Sequence, residues 1–285
     1  MAITEQLKSL VEQMPNSTMQ KKEDRIGKDE IKEAIEKTVA AIAAGGKENV
    51  LGLIEMLAEP GSKADCKPHF ALHCVVNHPL VIRDEKMRRA TCEALASQLG
   101  NEKLSAYNRS YLCQELQWAG RDEACAALGK AVLDEGATDA AAMALVAIGG
   151  ERAAAPLRAA VAAATGKIRL NVIDALAKLA DAKSEATFTA ALSDPDEEVR
   201  LAAAAGLSKA GLPTAAKPLL TVAEAAKGWQ RIQLTKSCLV LAEKLAAAGK
   251  KPEARQIYEQ LRTTRKADNE RYVREAAEIG LKAIA

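Results

Sequence analysis

The feature that most constrains this chain is a repeat of period 31 marked by an arginine. Ile168-Arg169, Val199-Arg200 and Gln230-Arg231 recur every 31 residues. Leu157, Phe188 and Leu219 keep the same period, as do Leu145, Leu176, Leu207 and Cys238, and Pro156 and Pro218 stand two periods apart. Several registers in phase are the signature of a stacked array, in which each unit buries its apolar face only against its neighbours.

The unit reads as two antiparallel helices. In 183–211, Ala186, Phe188, Ala191 and Leu192 supply the apolar face of the first. Asp194-Pro195 ends it, because proline restricts the residue before it and cannot continue a helix. Asp194 or Asp196 caps the second helix, and Glu197 and Glu198 complement the positive end of its dipole. Val199, Ala203, Leu207 and Ala210 follow at helical spacing, and Gly211 closes the unit as a C-cap. No alternating, β-branched stretch bounded by turns is present, so no sheet is expected.

The run DPDEEVRLAAAAGLSKAG (194–211) resembles the second half of a HEAT-like repeat of the bacterial type first noted in bilin lyases. The likeness is weaker in 166–181 and 228–242, and in 138–150 Thr138-Asp139 takes the Val-Arg place. It extends loosely over 83–285. The segment 65–120 is also similar to bacterial repeat-containing proteins, and 241–261 looks like a TPR hairpin. The resemblance implies an all-α fold, a right-handed α-solenoid of antiparallel helix pairs (a HEAT-like or armadillo-type superhelix) with about 12–13 helices. It also implies the usual role of such folds, holding a protein partner on a concave face.

Three regions are expected. Residues 1–64 form an irregular N-terminal helical cap, in which Ile3, Leu7, Leu10 and Met14 make a first helix, Ile31–Ile42 a second and Val50–Leu57 a third. Pro15–Lys28 reads as a mobile loop and Glu59–Ser62 as a turn. Residues 65–248 form the array, with Pro79 breaking a helix before a loop over 78–84. Residues 249–285 form a terminal hairpin cap. The step from Arg231 to Arg274 breaks the period, so 228–248 reads as a longer helix.

Composition narrows the function classes. Net charge is +2 and aromatics are 3% of the chain, which argues against nucleic acid as a partner. No apolar run reaches the roughly 20 residues that span a bilayer. MAITEQLKSLVEQM has no basic segment followed by an apolar one, so a signal peptide is not expected. Cytoplasmic localisation is favoured, with a mature exported form left open. Cys66, Cys74, Cys92, Cys113, Cys125 and Cys238 contain no CxxC pair and read as reduced structural thiols.

Three constellations are candidates for function. The arginine row, Arg169, Arg200, Arg231 and Arg274, with Arg109 as a further member, forms a line along one set of helices. The resemblance to HEAT-like repeats implies that such an arginine pairs with an inter-repeat Asp. Only Asp194 stands at that phase, with Ala163 and Ala225 one period to either side. The row therefore either holds the repeats together or offers a positive stripe to an acidic partner. Trp229 occupies a phase held by Lys167 and Glu198 in sister repeats and reads as a contact anchor, whereas Trp118 reads as covered by the N-terminal helices. Finally, Cys66, His69 and His73 on one helical face could hold zinc with one open position, though no fourth ligand is evident and no cofactor is otherwise expected.

No P-loop, nucleophile elbow or paired carboxylates in a cleft can be found. The leading expectation is a non-catalytic scaffold that binds a protein partner through its concave helices. The alternatives are a metal- or redox-responsive protein using Cys66–His78, and a HEAT-like enzyme of the bilin lyase or DNA glycosylase type.

Overall fold

The computed structural model describes residues 3–15, 29–60, 62 and 66–285. Within them all regular structure is helical. In chain order, α1 is Glu5–Glu12, α2 Asp29–Ala44, α3 Gly46–Glu55, α4 Lys67–Ile82, α5 Glu85–Ala96, α6 Ala106–Ala119, α7 Asp122–Ala131 and α8 Thr138–Ile148. Then come α9 Gly150–Ala160, α10 Gly166–Lys178, α11 Glu185–Ala191, α12 Glu197–Ala210, α13 Ala216–Ala225, α14 Gly228–Ala247, α15 Lys251–Thr264 and α16 Arg271–Ala283. These sixteen helices exceed the 12–13 expected. Three short 3-10 turns lie at 182–184, 213–215 and 268–270. No helix of the described residues is long and apolar enough to cross a membrane.

The chain forms two compact units, Met1–Pro156 and Leu157–Ala285. In the first, α2, α4, α6 and α8 pack each on the next to form one layer, and α3, α5 and α7 form another. In the second, α10, α12, α14 and α16 make one layer, while α13 packs on α15 and each chain-adjacent pair from α11 to α16 also packs together except α12 with α13. This two-layer stacking of hairpins is what a period of one helix pair demands. The in-phase residues Leu157, Phe188 and Leu219 are all buried, as are Leu176, Leu207 and Cys238, and in the first unit Leu145. Burying a leucine or phenylalanine side chain contributes about 1.5–3 kcal/mol, so these registers carry the core.

The ends of the units follow local chemistry. Asp196 caps α12 by accepting from the Glu198 N–H, and Gly211 ends it at φ 68°. Ala180, one period earlier, takes φ 51° in the same left-handed region. The longer helix expected over 228–248 is α14, and 251–285 holds α15 and α16, packed on one another.

One boundary differs from expectation. Pro79 does not break its helix, which continues through it to Ile82. The chain turns at Arg83 instead, at φ 59°, and the Asp84 N–H closes the turn by donating to Pro79 O at 2.9 Å. Asp84 then caps α5 by accepting from the Met87 N–H at 2.8 Å. A proline costs a helix one N–H and one carbonyl contact, a cost that packing on both sides of α4 offsets. The mobile loop expected over Pro15–Lys28 falls, apart from Pro15, outside the described residues, whereas the expected Glu59–Ser62 turn is closed by the Ser62 N–H donating to Glu59 O at 3.1 Å.

Candidate functional site

The arginines of the row share one local position. Arg109, Arg169, Arg200, Arg231 and Arg274 are each the fourth residue of their helices, α6, α10, α12, α14 and α16. A cation so close to a helix N-terminus opposes the dipole, so its guanidinium needs acceptors. For four of the five they come from the segment just before the helix. Arg200 Nη1 donates to Asp194 O at 2.7 Å and to Pro195 O at 2.9 Å. Arg231 Nη1 donates to Glu224 O at 2.9 Å and Ala223 O at 3.2 Å. Arg274 Nη1 donates to Arg265 O at 2.6 Å and Ala267 O at 2.9 Å, and Arg109 Nη1 donates to Leu104 O.

Three of the five also reach forward to a carboxylate before the next helix of the same layer. Arg109 Nε donates to Asp134 Oδ2 at 2.7 Å, Arg169 Nε to Asp194 Oδ2 at 2.6 Å, and Arg231 Nε to Glu270 Oε1 at 2.6 Å. Asp194 also accepts from the Asp196 N–H at 3.0 Å. Burial pushes the Asp194 carboxyl up. The hydrogen bonds from Arg169 and Asp196, with the charges of Arg169 and Arg200, more than reverse that and hold it below the usual range. The same balance holds Glu270 down: burial raises it, and Arg231 and Arg265 outweigh the rise.

Arg200 is the exception. Its forward edge meets Gln230 rather than an acid: with the amide oriented to satisfy both groups, Gln230 Oε1 accepts from Nε at 2.9 Å and from Nη2 at 3.1 Å.

Beside this row lies an exposed apolar patch. Trp229 is 54% exposed, Ile232 50% and Tyr272 51%. Trp229 and Tyr272 are the second residues of α14 and α16, which pack on one another. Ile232 and Tyr272 line an open pocket of about 470 Å³ together with Glu224, Arg231, Thr235 and Glu270. Arg265, fully buried, donates from Nη1 to Glu224 Oε2 at 2.9 Å and approaches Glu270 Oε1 to 3.6 Å with Nε.

Sequence reasoning missed one element here. Tyr107, Trp229 and Tyr272 each stand two residues before a row arginine, and each is about half exposed. The Tyr-x-Arg and Trp-x-Arg spacing was readable, but only Trp229 lies in the strict 31-residue phase. Trp118 is 70% exposed, which corrects the expectation that N-terminal helices cover it.

Among the described residues, Cys66, His69 and His73 are not gathered into a set of metal ligands. His73 Nδ1 donates to Glu115 Oε1 at 3.0 Å, and the His69 ring sits 5.1 Å from that of Tyr111, with Nε2 3.4 Å from Asn108 Oδ1. The histidines are thus directed at α6 instead of at Cys66, and no metal-holding group of three His, Cys, Asp or Glu exists among the described residues. The Glu115 hydrogen bond and charge raise the His73 pKa against the opposing effect of burial. Burial pushes the thiols of Cys92, Cys113 and Cys238 up to about 12, and those of Cys74 and Cys125 up to about 11. Such thiols are protonated and poorly nucleophilic at neutral pH.

The family comparison agrees with the repeat geometry. The family model described as HEAT repeats matches residues 160–237, the stretch from the end of α9 into α14. Residues 160–237 carry HEAT-like repeats. Among solved structures, an engineered protein shares 17% identity over 98% of this chain and 78% of its own, with a TM-score of 0.48. A designed armadillo repeat protein in complex with the peptide (KR)4 shares 19% identity over 98% of this chain and 100% of its own, with a TM-score of 0.31. No curated protein matches the chain. Four of the five row arginines, Arg109, Arg200, Arg231 and Arg274, bind their helix to the segment before it, and three, Arg109, Arg169 and Arg231, bind it to a carboxylate ahead of the next helix of the same layer.

Proposed function

We propose that this protein is a non-catalytic HEAT-like scaffold that binds a protein partner through the even-numbered helices of its C-terminal unit. The observation that carries the reading is the exposed patch of Trp229, Ile232 and Tyr272 beside Arg231 and Arg274. Aromatic and arginine side chains dominate binding energy at interfaces because they bury large, rigid area next to directional donors. In sister repeats the Trp229 place is held by Lys167 and Glu198, so the aromatic serves this surface and not the repeat itself. Leu170 and Leu201 hold the Ile232 place in the preceding repeats and are half-buried, which extends an apolar line along the layer. In this reading residues 65–248 are the array, 249–285 its C-terminal cap and 1–64 its N-terminal cap.

The arginines divide in their roles. Arg169 and Arg231 are committed to Asp194 and Glu270, so they position the surface, and Arg200 and Arg274 border it. Reversing Arg169, Arg200 and Arg231 together would break two ion pairs and confuse folding with binding. The cleaner test is Trp229→Ala with Tyr272→Ala, two exposed sites. Partner capture, quantified by mass spectrometry against wild type, should be lost while helicity and melting temperature stay unchanged. Equal capture by the folded double variant would remove the basis of the reading.

A further inference from the structure

We propose that Arg200 receives the side-chain carboxylate of an acidic residue in the partner's bound segment, in the manner that Arg169 receives Asp194. This rests on the scaffold reading and names one contact within it. Asp134 stands 25 residues after Arg109 and Asp194 stands 25 after Arg169; 25 after Arg200 stands Ala225. Ala225 and Arg200 line one open pocket of about 200 Å³, with Leu192, Val222, Ala226, Gln230 and Leu234. The neighbouring carboxylates are engaged elsewhere. Asp194 serves Arg169 and the Asp196 N–H, and Glu224 serves Arg265.

The guanidinium is therefore held in place without a carboxylate of its own. Its Nη1 is fixed by Asp194 O and Pro195 O, and its Nε–Nη2 edge, the edge that binds carboxylates with two parallel bonds, faces only the neutral Gln230 amide. A carboxylate displacing that amide gains a charge-assisted pair, and the released Gln230 can turn to solvent. The charge balance points the same way, since Arg169 and Arg200 share the field of the single Asp194. The aliphatic walls, Leu192, Val222 and Leu234, suit an acidic residue flanked by aliphatic ones. A side-chain source is favoured over a chain terminus because all three intramolecular precedents, Asp134, Asp194 and Glu270, offer side chains from a passing backbone.

Three labelled pentapeptides test this by fluorescence polarisation on the full chain. The first is acetyl-Leu-Ala-Glu-Ala-Leu-amide, the second carries glutamine in place of glutamate, and the third is the glutamine peptide with a free C-terminal carboxylate. The glutamate peptide should bind wild type about tenfold or more tightly than the glutamine peptide, the scale of a hydrogen-bonded charge pair. Arg200→Gln should erase that preference. Ala225→Asp should also erase it, by supplying the carboxylate internally, and its cooperative unfolding controls for folding. Equal binding of the glutamate and glutamine peptides, including no binding of either, would overturn the proposal, as would a preference unchanged by Ala225→Asp. Tighter binding of the free-terminus peptide than of the glutamate peptide would overturn the side-chain assignment. Failure here with partner capture still dependent on Trp229 and Tyr272 counts against this pocket alone; capture indifferent to those residues counts against the scaffold reading.

Discussion

Asp194 Oδ2 lies 2.6 Å from Arg169 Nε, and the two side chains belong to successive repeats. Asp194 is nearly buried and its pKa is held below the ordinary carboxylate value, so the folded state binds its proton less readily than the unfolded chain. The stability it contributes is present above the unfolded pKa of about 3.9 and is lost as pH falls through the depressed folded value. Asp194→Asn should therefore cost about 1–3 kcal/mol at pH 7, the scale of a hydrogen bond to a charged group. The gap to wild type in chemical denaturation should narrow steadily below about pH 4. A gap independent of pH would show that the contact does not depend on the carboxylate charge.

Arg88 presents a more costly deletion. Its side chain and that of Glu123 are buried, Nη1 donating to Glu123 Oε1 and to Ala119 O, each at 2.6 Å. Arg88→Met leaves a buried carboxylate without its cation and removes the guanidinium donor from Ala119 O, which should cost about 3–5 kcal/mol. Adding Glu123→Gln should recover part of that loss. A double variant as unstable as the single one would place the cost in side-chain packing.

Gly206 in α12 faces the ring of Phe188. A methyl group at Gly206 would come within 2.6 Å of two ring atoms of that buried side chain. Helix propensity favours alanine over glycine by about 1 kcal/mol, and overpacking a core costs about 1–3 kcal/mol. The clash should win, so Gly206→Ala lowers the melting temperature, and Phe188→Leu in the same chain should restore part of it. A rise in the single variant would mean that α11 can move away freely.

Ala180 holds φ 51° at the place where Gly211 holds φ 68°. A left-handed conformation costs a residue with a Cβ roughly 1–2 kcal/mol, of which glycine's greater freedom in the unfolded chain returns up to about 1 kcal/mol. Ala180→Gly should stabilise by about 0.5–1 kcal/mol, and Gly211→Ala should act in the opposite direction. Urea midpoints of the two variants decide it.

What could be read in the sequence follows from how local each cause is. The helix pairs, the Asp196 cap and the Gly211 end are dictated within one turn of chain, and the 31-residue phase placed Leu176, Leu207 and Cys238 in the core. The fate of the arginines was half legible. The scarcity of in-phase aspartates was visible, but the carbonyl contacts depend on loop shape, and the Glu270 partner lies after a longer step. Pro79 misled because its cost is set by what packs around α4, and His73 because its partner, Glu115, lies on another helix. Trp118 misled because coverage is decided by neighbours far along the chain.

The reach from Arg231 to Glu270 spans 39 residues where Arg169 to Asp194 spans 25, yet both end in a 2.6 Å contact. These two repeat junctions are thus latched by their ion pairs and not measured out by helix length. A segment can be lengthened between two latches without shifting the stack beyond them, which makes the turn-to-helix junctions the places to leave untouched, and the α14–α15 hairpin the place to insert new sequence.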